Sequence, residues 1–289
     1  MAITMAPTVE QFKEMVRQEW TDETTVAAWR RWKAPFAVQT AAMKAAIIAA
    51  ARVTPGLRVL DIASGTGEPA VAIAAAVGPA GQVTATDLGP GMLAIAEEEA
   101  RANGLTNLTF QQADAHALPF ADQSFDRVTC RFGVMYFADS PTALREIHRV
   151  LKPGGRAAFI AWGLLDANPF MLSTIGPFFK RVAPPPPPPG APTPFKFAQP
   201  GTLAAELRGA GFTSVDEETR TMPLPWPGPP EELWKHFYDI AAPFRPLIDG
   251  MPEAEREAAI DEVLTNLRHF YDGERTTIPA SVIVASAAR

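Results

Sequence analysis

Three aspartates and two glycines are the residues of this sequence that suggest chemistry first. Asp61 ends an apolar segment and is followed by the turn Gly65–Gly67, while Asp87 and Asp114 each follow a later apolar segment. Glycines let the backbone pass close to a ligand at dihedral angles that side chains exclude. Carboxylates accept hydrogen bonds from hydroxyl, amine and ammonium groups. The pattern therefore predicts a site for a small polar ligand at the ends of successive strands.

Two kinds of ligand fit the glycine turn. Gly65, Gly67 and Ala70 satisfy the dinucleotide pattern G-x-G-x-x-G/A, and Asp87 lies where an acid that binds ribose is expected, which favours NAD. Glu68 opposes this interpretation, because it lies at the start of the next helix, where a pyrophosphate needs free N–H groups and a positive dipole. A carboxylate there favours a ligand with positive charge, ribose and adenine but no phosphate, such as S-adenosylmethionine.

Composition excludes several classes of protein. The chain has 289 residues, 47% of them hydrophobic and 20% charged, as in a globular protein with one large domain or a domain with a cap. The formal charge of -6 and the lack of a basic cluster argue against a nucleic-acid partner. Cys130 is the only cysteine, so no intrachain disulfide can form. With no apolar run near the roughly 20 residues of a membrane span and no export signal, we expect a cytoplasmic protein without a membrane span.

The elements that must position these residues alternate between strand and helix. Residues 8–53 are predicted to be helical, since Val9, Phe12, Val16 and Trp20 recur at helical spacing. Strands are then predicted over residues 57–61, 82–87, 107–112, 125–131 and 156–162, with helices beginning at Pro69, Pro90 and Ser140. This alternation predicts a parallel sheet covered on both faces, with ligands at the carboxyl ends of its strands.

The alternation stops after Trp162. Six consecutive prolines, Pro184–Pro189, favour polyproline II and exclude a helix or a central strand. A stiff spacer is favoured there over a recognition motif for a partner domain. The helix "PGTLAAELRGAGF", a strand over "TSVDEETRTM" that ends at Met222, two helices within residues 230–270 and a closing strand over "TIPASVIVAS" are predicted to follow.

Five segments in order carry a family resemblance. They are "VLDIASGTGEPA", "VTATDLGPGMLAIA", "QADAHALPF", "FDRVTCRFGVMYFAD" and "LKPGGRAAFIAW". They resemble the motifs of class I S-adenosylmethionine-dependent methyltransferases, and among these the branch of the ubiquinone and menaquinone biosynthesis C-methyltransferases. The resemblance implies an α/β, Rossmann-like fold: a seven-stranded, mostly parallel sheet with helices on both faces, N-terminal helices and a helical cap inserted after the fifth strand. It implies S-adenosylmethionine as cofactor and methyl transfer to a small molecule.

We accordingly expect four segments. They are an N-terminal helical cover (1–53), an S-adenosylmethionine-binding core (54–165), a proline-rich lid (166–200), and late sheet strands with inserted cap helices (201–289).

The resemblance also assigns cofactor contacts. Asp61 would position the methionine end of the cofactor, and Asp87 would accept hydrogen bonds from both ribose hydroxyls, although it could instead cap the next helix. Asp114 would accept from the adenine amine, or cap the turn that follows it. Backbone near Arg131 would hold the ammonium group. The expected cofactor-binding residues are Asp61, Ser64, Gly65, Thr66, Gly67, Asp87, Leu88, Met92, Asp114, Ala115 and Arg131.

Phe132, Tyr136 and Trp162 are the expected substrate contacts, although each could serve only in core packing. Methyl transfer is an in-line displacement at an activated carbon, so alignment and water exclusion can supply most of the rate. We identify no catalytic residue, because a base is needed only where the acceptor loses a proton. No metal is expected, since the aspartates are assigned to the cofactor. Aromatic residues in the cover and lid predict an apolar or aromatic acceptor.

Two alternatives to a methyltransferase remain at this stage. One is an NAD(P)-dependent oxidoreductase with a Rossmann domain, and the other is a cofactor-binding protein without catalysis.

Overall fold

A seven-stranded sheet forms the centre of the protein. The structure, a computed structural model, describes residues 7–182, 186–188 and 190–289, so half of the predicted proline spacer, residues 184, 185 and 189, lies outside the described residues. The strands are β1 Arg58–Ile62, β2 Gln82–Asp87, β3 Leu108–Gln112, β4 Phe125–Arg131, β5 Leu151–Trp162, β6 Thr213–Trp226 and β7 Thr276–Ala288. Their order is β3-β2-β1-β4-β5-β7-β6. β1 to β5 pair in parallel, and β7 is antiparallel to both neighbours. The prediction of a seven-stranded, mostly parallel sheet is confirmed.

Helices cover both faces of the sheet. They are α1 Val9–Thr21, α2 Glu23–Gln39, α3 Ala41–Ala50, α4 Ala70–Val77, α5 Pro90–Ala102, α6 Ser140–Val150, α7 Pro169–Thr174, α8 Gly176–Arg181, α9 Thr202–Gly209, α10 Pro230–Ile240, α11 Arg245–Asp249 and α12 Glu253–Arg268. Successive side chains of a strand point to opposite faces. On β5, Ala158 and Ile160 join a core with α2, α3, α7 and α10, whereas Phe159 joins a core with α6 and α9.

The N-terminal helices begin at side-chain caps. The Thr8 hydroxyl accepts from the Gln11 N–H at 3.3 Å and the Gln11 amide oxygen accepts from the Thr8 N–H at 2.8 Å, which is a capping box for α1. The helix then buries Phe12 and Val16, two positions of the predicted apolar stripe. Asp22 starts α2 by accepting from the Thr25 N–H at 2.9 Å.

The late helices form two inserts. α7 and α8 follow β5, as predicted for the cap, and α10 to α12 lie between β6 and β7. The second insert contains three α-helices rather than the two predicted, because α11 is only five residues long and has too few positions for a helical period. In the described part of the chain, no helix is long and apolar enough to cross a membrane.

Candidate functional site

A cavity of about 1080 Å³, including space that opens to solvent, lies at the carboxyl ends of the central strands. Its wall consists of the loop after β1, the start of α5, the turn after β3, the segment after β4, and side chains of α1 and α2. This is the edge of the sheet at which an open α/β fold binds its ligand.

Nine of the expected cofactor residues line this cavity. They are Ser64, Gly65, Thr66, Asp87, Leu88, Met92, Asp114, Ala115 and Arg131. Asp61 and Gly67 do not line the cavity themselves. Asp61 lies near the end of β1, and Gly67 lies in the loop after β1, which forms part of the cavity wall. Among the expected substrate contacts, Phe132 and Tyr136 line the cavity and Trp162 does not. The roles assigned to these residues stay predictions.

The glycine loop has the left-handed geometry for which its glycines are suited. Gly65 has φ +52° and Gly67 has φ +109°. A Cβ on Gly67 would lie 3.1 Å from Cα and Cβ of Ala96 on α5. Gly67 therefore serves the close packing of loop against helix, whereas Gly65 presents its backbone to the cavity.

The buried side chain of Asp61 stabilises the glycine loop. Its side chain is fully buried and accepts hydrogen bonds from the Ser64 hydroxyl at 2.7 Å and the Thr129 hydroxyl at 2.5 Å. Burial raises the pKa of Asp61 to about 6, although the hydroxyls of Thr129 and Ser64 and the charge of Arg131 act to lower it. Asp61 can thus act on a ligand through the loop that it holds.

Asp87 joins the end of β2 to the glycine loop. One carboxylate oxygen accepts from the Gly65 N–H at 2.8 Å and the other from the Gly89 N–H at 2.9 Å. Burial raises the pKa of Asp87, although the N–H groups of Gly89 and Gly65 lower it in part. Among the described residues no side chain caps α5, whose N-cap residue is Gly89, so Asp87 orders the turn before the helix.

Asp114 is held by a neighbour that the sequence did not single out. Its Oδ1 accepts from the His116 N–H at 2.9 Å and lies 2.5 Å from His116 Nδ1. His116 Nε2 accepts from the Asp139 N–H at 3.1 Å, so Nδ1 carries the proton of the neutral ring. Burial acts to raise the pKa of Asp114, but the hydrogen bonds from His116 outweigh it and lower the pKa. Asp114 therefore presents a fixed carboxylate to the cavity.

Glu68 and Arg131 form the charged part of the wall. Glu68 Oε1 accepts from Lys44 Nζ at 2.9 Å, while Oε2 is buried with no hydrogen-bond partner among the described residues. Arg131 donates to the Thr40 hydroxyl at 2.6 Å and to the Glu68 carbonyl at 2.9 Å. Burial lowers the pKa of Arg131, and the charges of Glu68 and Asp61 oppose that shift. Glu68 thus keeps one carboxylate oxygen that no described residue binds.

The segment after β4 approaches the loop after β1 closely. Phe132 has φ +60°, an unusual backbone conformation for a bulky residue, and its ring stacks on Trp162 with centroids 4.3 Å apart. A Cβ on Gly133 would lie 2.4 Å from the Ala63 Cβ. Trp162 therefore packs against the Phe132 ring without lining the cavity itself. The residue after Phe132 must be glycine, because a side chain there would clash with Ala63.

An aromatic wall from α1 and α2 completes the cavity. Trp20 and Trp29 have centroids 6.0 Å apart, Trp29 meets Phe36 edge-on at 4.9 Å, and Trp20 meets Tyr136 edge-on at 5.6 Å. All four rings line the cavity. The helical spacing of apolar residues in α1 could have indicated that Trp20 faces inwards. The local sequence did not indicate which rings of the N-terminal helices would face the ligand.

The strand order, the glycine loop after β1 and the aspartate at the end of β2 define a Rossmann-like fold of the class I methyltransferase type. The chain belongs to the ubiE/COQ5 methyltransferase family, whose profile matches residues 29–184, more than half of the sequence. The predicted family resemblance is confirmed.

Individual relatives agree with this assignment. The ubiquinone/menaquinone biosynthesis C-methyltransferase UbiE of Xanthomonas campestris is 43% identical over 130 residues, which cover 45% of this chain and 51% of that protein. The demethylmenaquinone methyltransferase of Geobacillus kaustophilus is 43% identical over 178 residues, covering 58% of this chain and 76% of that protein. This chain thus spans only about half the length of the Xanthomonas relative.

The fold itself is found in solved structures. The YcgJ protein of Bacillus subtilis superposes with a TM-score of 0.56 at 22% identity, and the match covers 86% of this chain and 98% of that one. None of these similarities supports the dinucleotide interpretation of the glycine loop.

Proposed function

We propose that the protein transfers a methyl group from S-adenosylmethionine to a small aromatic molecule. The observation that carries the proposal is Glu68, a carboxylate in the cavity wall whose Oε2 has no partner among the described residues. A carboxylate beside the glycine loop repels a pyrophosphate and stabilises a cation. Of the two cofactors that fit the loop, only S-adenosylmethionine brings a sulfonium and an ammonium and no phosphate.

The other described groups fit the remaining parts of the same cofactor. Asp87 has one acceptor position left on each oxygen after binding Gly65 and Gly89, which suits the two ribose hydroxyls. The fixed carboxylate of Asp114 suits the adenine amine, and Leu88 and Met92 supply apolar surface for the ring. Bound there, S-adenosylmethionine would supply an electrophilic methyl group.

The aromatic wall supports an aromatic acceptor. Trp20, Trp29, Phe36 and Tyr136 give a planar ring several faces and edges on which to pack. The names of the two relatives reported above refer to quinones, one to ubiquinone/menaquinone biosynthesis and the other to demethylmenaquinone. Because the methyl group is electrophilic, the acceptor must be electron-rich, so we propose a hydroquinone such as reduced demethylmenaquinone. A cytoplasmic location is part of the proposal.

The chain contributes alignment and exclusion of water. α1 and α2 place their rings over the carboxyl ends of the strands, so an acceptor ring held there would face the cofactor loop with little room for solvent. Holding two reactants in line can supply most of the acceleration that such a displacement requires. The described residues contain no group of three metal-ligating side chains, and this alignment needs no metal.

Calorimetric titration with S-adenosylhomocysteine and with NADH tests the cofactor part of the proposal. We expect S-adenosylhomocysteine to bind, NADH not to bind, and Glu68→Gln to weaken binding of the former. Tighter binding of NADH would overturn the proposal. The variant Glu97→Gln, on the exposed side of α5, is the matched control and should bind like the unmodified protein.

A further inference from the structure

Adenine differs from the related base hypoxanthine in the polarity of one group on its six-membered ring. Adenine carries an exocyclic amine, which donates hydrogen bonds, where hypoxanthine carries a carbonyl oxygen, which accepts them. An ionised carboxylate only accepts, whereas a protonated carboxyl can also donate. A carboxylate therefore selects adenine only as long as it stays ionised and keeps its direction.

Asp114 is the carboxylate of the cavity wall on which such a selection can rest. Its side chain is 28% exposed, and its Oδ1 is held by the backbone N–H and the ring of His116. In the part of the chain that the structure describes, no donor binds Asp114 Oδ2, so this oxygen is left for a ligand. The direction of Oδ2 then depends on what holds Oδ1.

The ring of His116 is held at both nitrogens. Nδ1 lies 2.5 Å from Asp114 Oδ1, and Nε2 lies 3.1 Å from the backbone nitrogen of Asp139. A backbone N–H can only donate, so Nε2 is the acceptor and Nδ1 carries the proton of the neutral ring. The side chain is only 8% exposed, and its ring meets Phe137 edge-on with centroids 5.9 Å apart. The ring thus cannot turn its Nδ1–H away from Asp114 without losing contacts on both sides.

The group that holds Nε2 is itself in a fixed position. Asp139 is the N-cap of α6, and its carboxylate accepts from the Thr142 N–H at 3.1 Å and from the Thr142 hydroxyl at 2.6 Å. A continuous series of hydrogen bonds therefore connects the start of α6 through His116 to Asp114 in the cavity wall.

Resting on the proposed function, we propose that His116 is a positioning residue that makes the cofactor site selective for adenine. It acts through Asp114: the Nδ1–H holds Oδ1, which keeps Oδ2 ionised and directed at the adenine amine. Without this N–H the carboxyl can turn or bind a proton, and a protonated carboxyl donates to the carbonyl oxygen of hypoxanthine. Burial acts to raise the pKa of Asp114, and the hydrogen bonds from His116 outweigh it, in agreement with this role.

Two variants separate the two hydrogen bonds of the His116 ring. The amide of asparagine lies near the position of Nδ1, so His116→Asn can still donate to Asp114 but loses the acceptor at Nε2. The amide of glutamine reaches the position of Nε2, so His116→Gln can still accept from the Asp139 N–H but loses the donor at Nδ1. The matched control is His148→Gln on α6, whose histidine does not line the cavity.

Titration calorimetry of each protein compares S-adenosylhomocysteine with S-inosylhomocysteine, in which a carbonyl replaces the amine. For the unmodified protein and for His148→Gln we expect a preference for adenine of about tenfold or more, the effect of a hydrogen bond to a charged group. His116→Asn should keep most of this preference, whereas His116→Gln should reduce it to about threefold or less. Circular dichroism checks that each variant is folded.

The ratio of the two dissociation constants distinguishes positioning from support of the fold, because a variant that only loosens the site weakens both ligands alike. If His116→Gln keeps the preference of the unmodified protein, or if both His116 variants lose it equally, the positioning role is overturned. An unmodified protein that binds both ligands equally well also overturns it, whether or not the variants fold, and leaves the proposed function standing. If S-adenosylhomocysteine does not bind at all, the proposed function fails and the positioning role with it.

Discussion

Replacing Asp87 by alanine should weaken cofactor binding without unfolding the protein. The carboxylate accepts from the Gly65 N–H at 2.8 Å and from the Gly89 N–H at 2.9 Å through different oxygens, which leaves one acceptor position on each for a ribose hydroxyl. Hydrogen bonds to a charged group contribute about 1.5–3 kcal/mol. We therefore expect the dissociation constant of S-adenosylhomocysteine to rise roughly 10- to 150-fold.

The same substitution should have a smaller effect on stability. It removes the acceptors of two N–H groups: Gly65 lines the open cavity, where water can replace the carboxylate, whereas Gly89 is buried, so we expect a modest fall of the melting temperature and no unfolding. Titration calorimetry measures the affinity and circular dichroism the melting temperature. Glu97→Ala, on the exposed side of α5, should change neither.

The pH dependence provides a second check on Asp87. Burial raises the pKa of Asp87, and a protonated carboxyl accepts ribose hydrogen bonds more weakly. The affinity should therefore fall as the pH drops through this raised pKa, at a higher pH than for an ordinary aspartate, and Asp87→Asn should not show the fall. If Asp87→Ala keeps full affinity while the melting temperature collapses, the carboxylate only braces the loop and our reasoning is refuted.

Three further outcomes follow from the geometry. Glu68→Gln should weaken binding of S-adenosylmethionine by about tenfold, the effect of losing roughly 1.4 kcal/mol; unchanged affinity in calorimetry contradicts a role for its free oxygen. Alanine at His236 or His269 should leave kcat within about tenfold, since neither side chain lines the cavity; a thousandfold loss in a folded variant would reveal a missed base. Replacing Pro184–Pro189 by alternating glycine and serine should leave the affinity for S-adenosylhomocysteine within about threefold, because none of the described prolines of the run, residues 186–188, lines the cavity; loss of binding contradicts a spacer.

Local pattern was sufficient to predict much of the sheet. The predicted ranges of β2 and β4 agree with the structure at both ends, because each strand is a short apolar run bounded by turn residues. β5 begins at Leu151 and not at residue 156, since Leu151 pairs with Phe125 across an irregularity in the ladder. The segment "KPGG" in this stretch consists largely of residues typical of turns, so the sequence pattern does not indicate a strand there.

The late part of the sheet shows where local rules stop. β6 continues past the predicted end at Met222 through Pro223 and Pro225 to Trp226. Proline cannot donate to a ladder and is confined to edge strands, and β6 is the last strand of the sheet. The position of a strand within a sheet is determined by tertiary structure. The sequence pattern alone therefore predicted the end of β6 too early.

The site shows the same division between local and tertiary information. The glycine loop, Asp87 and Asp114 were identified because each follows a strand directly. The aromatic wall arises from the packing of α1 and α2 over the strand ends, and the Glu68 oxygen that no described residue binds is likewise a result of tertiary packing. This packing decides which polar atom has no hydrogen-bond partner, and the spacing of residues along the chain does not predict it.

Methyl transfer itself is the measurement that tests the central claim most directly. The protein is incubated with S-adenosylmethionine labelled in its methyl group and with reduced demethylmenaquinone, and label is counted in the extracted quinone. Our account predicts label in the quinone with the unmodified protein, and a much slower rate with Asp87→Ala at the same cofactor concentration. Binding of the cofactor with no label transferred would contradict it and indicate a protein that keeps the cofactor site without the chemistry.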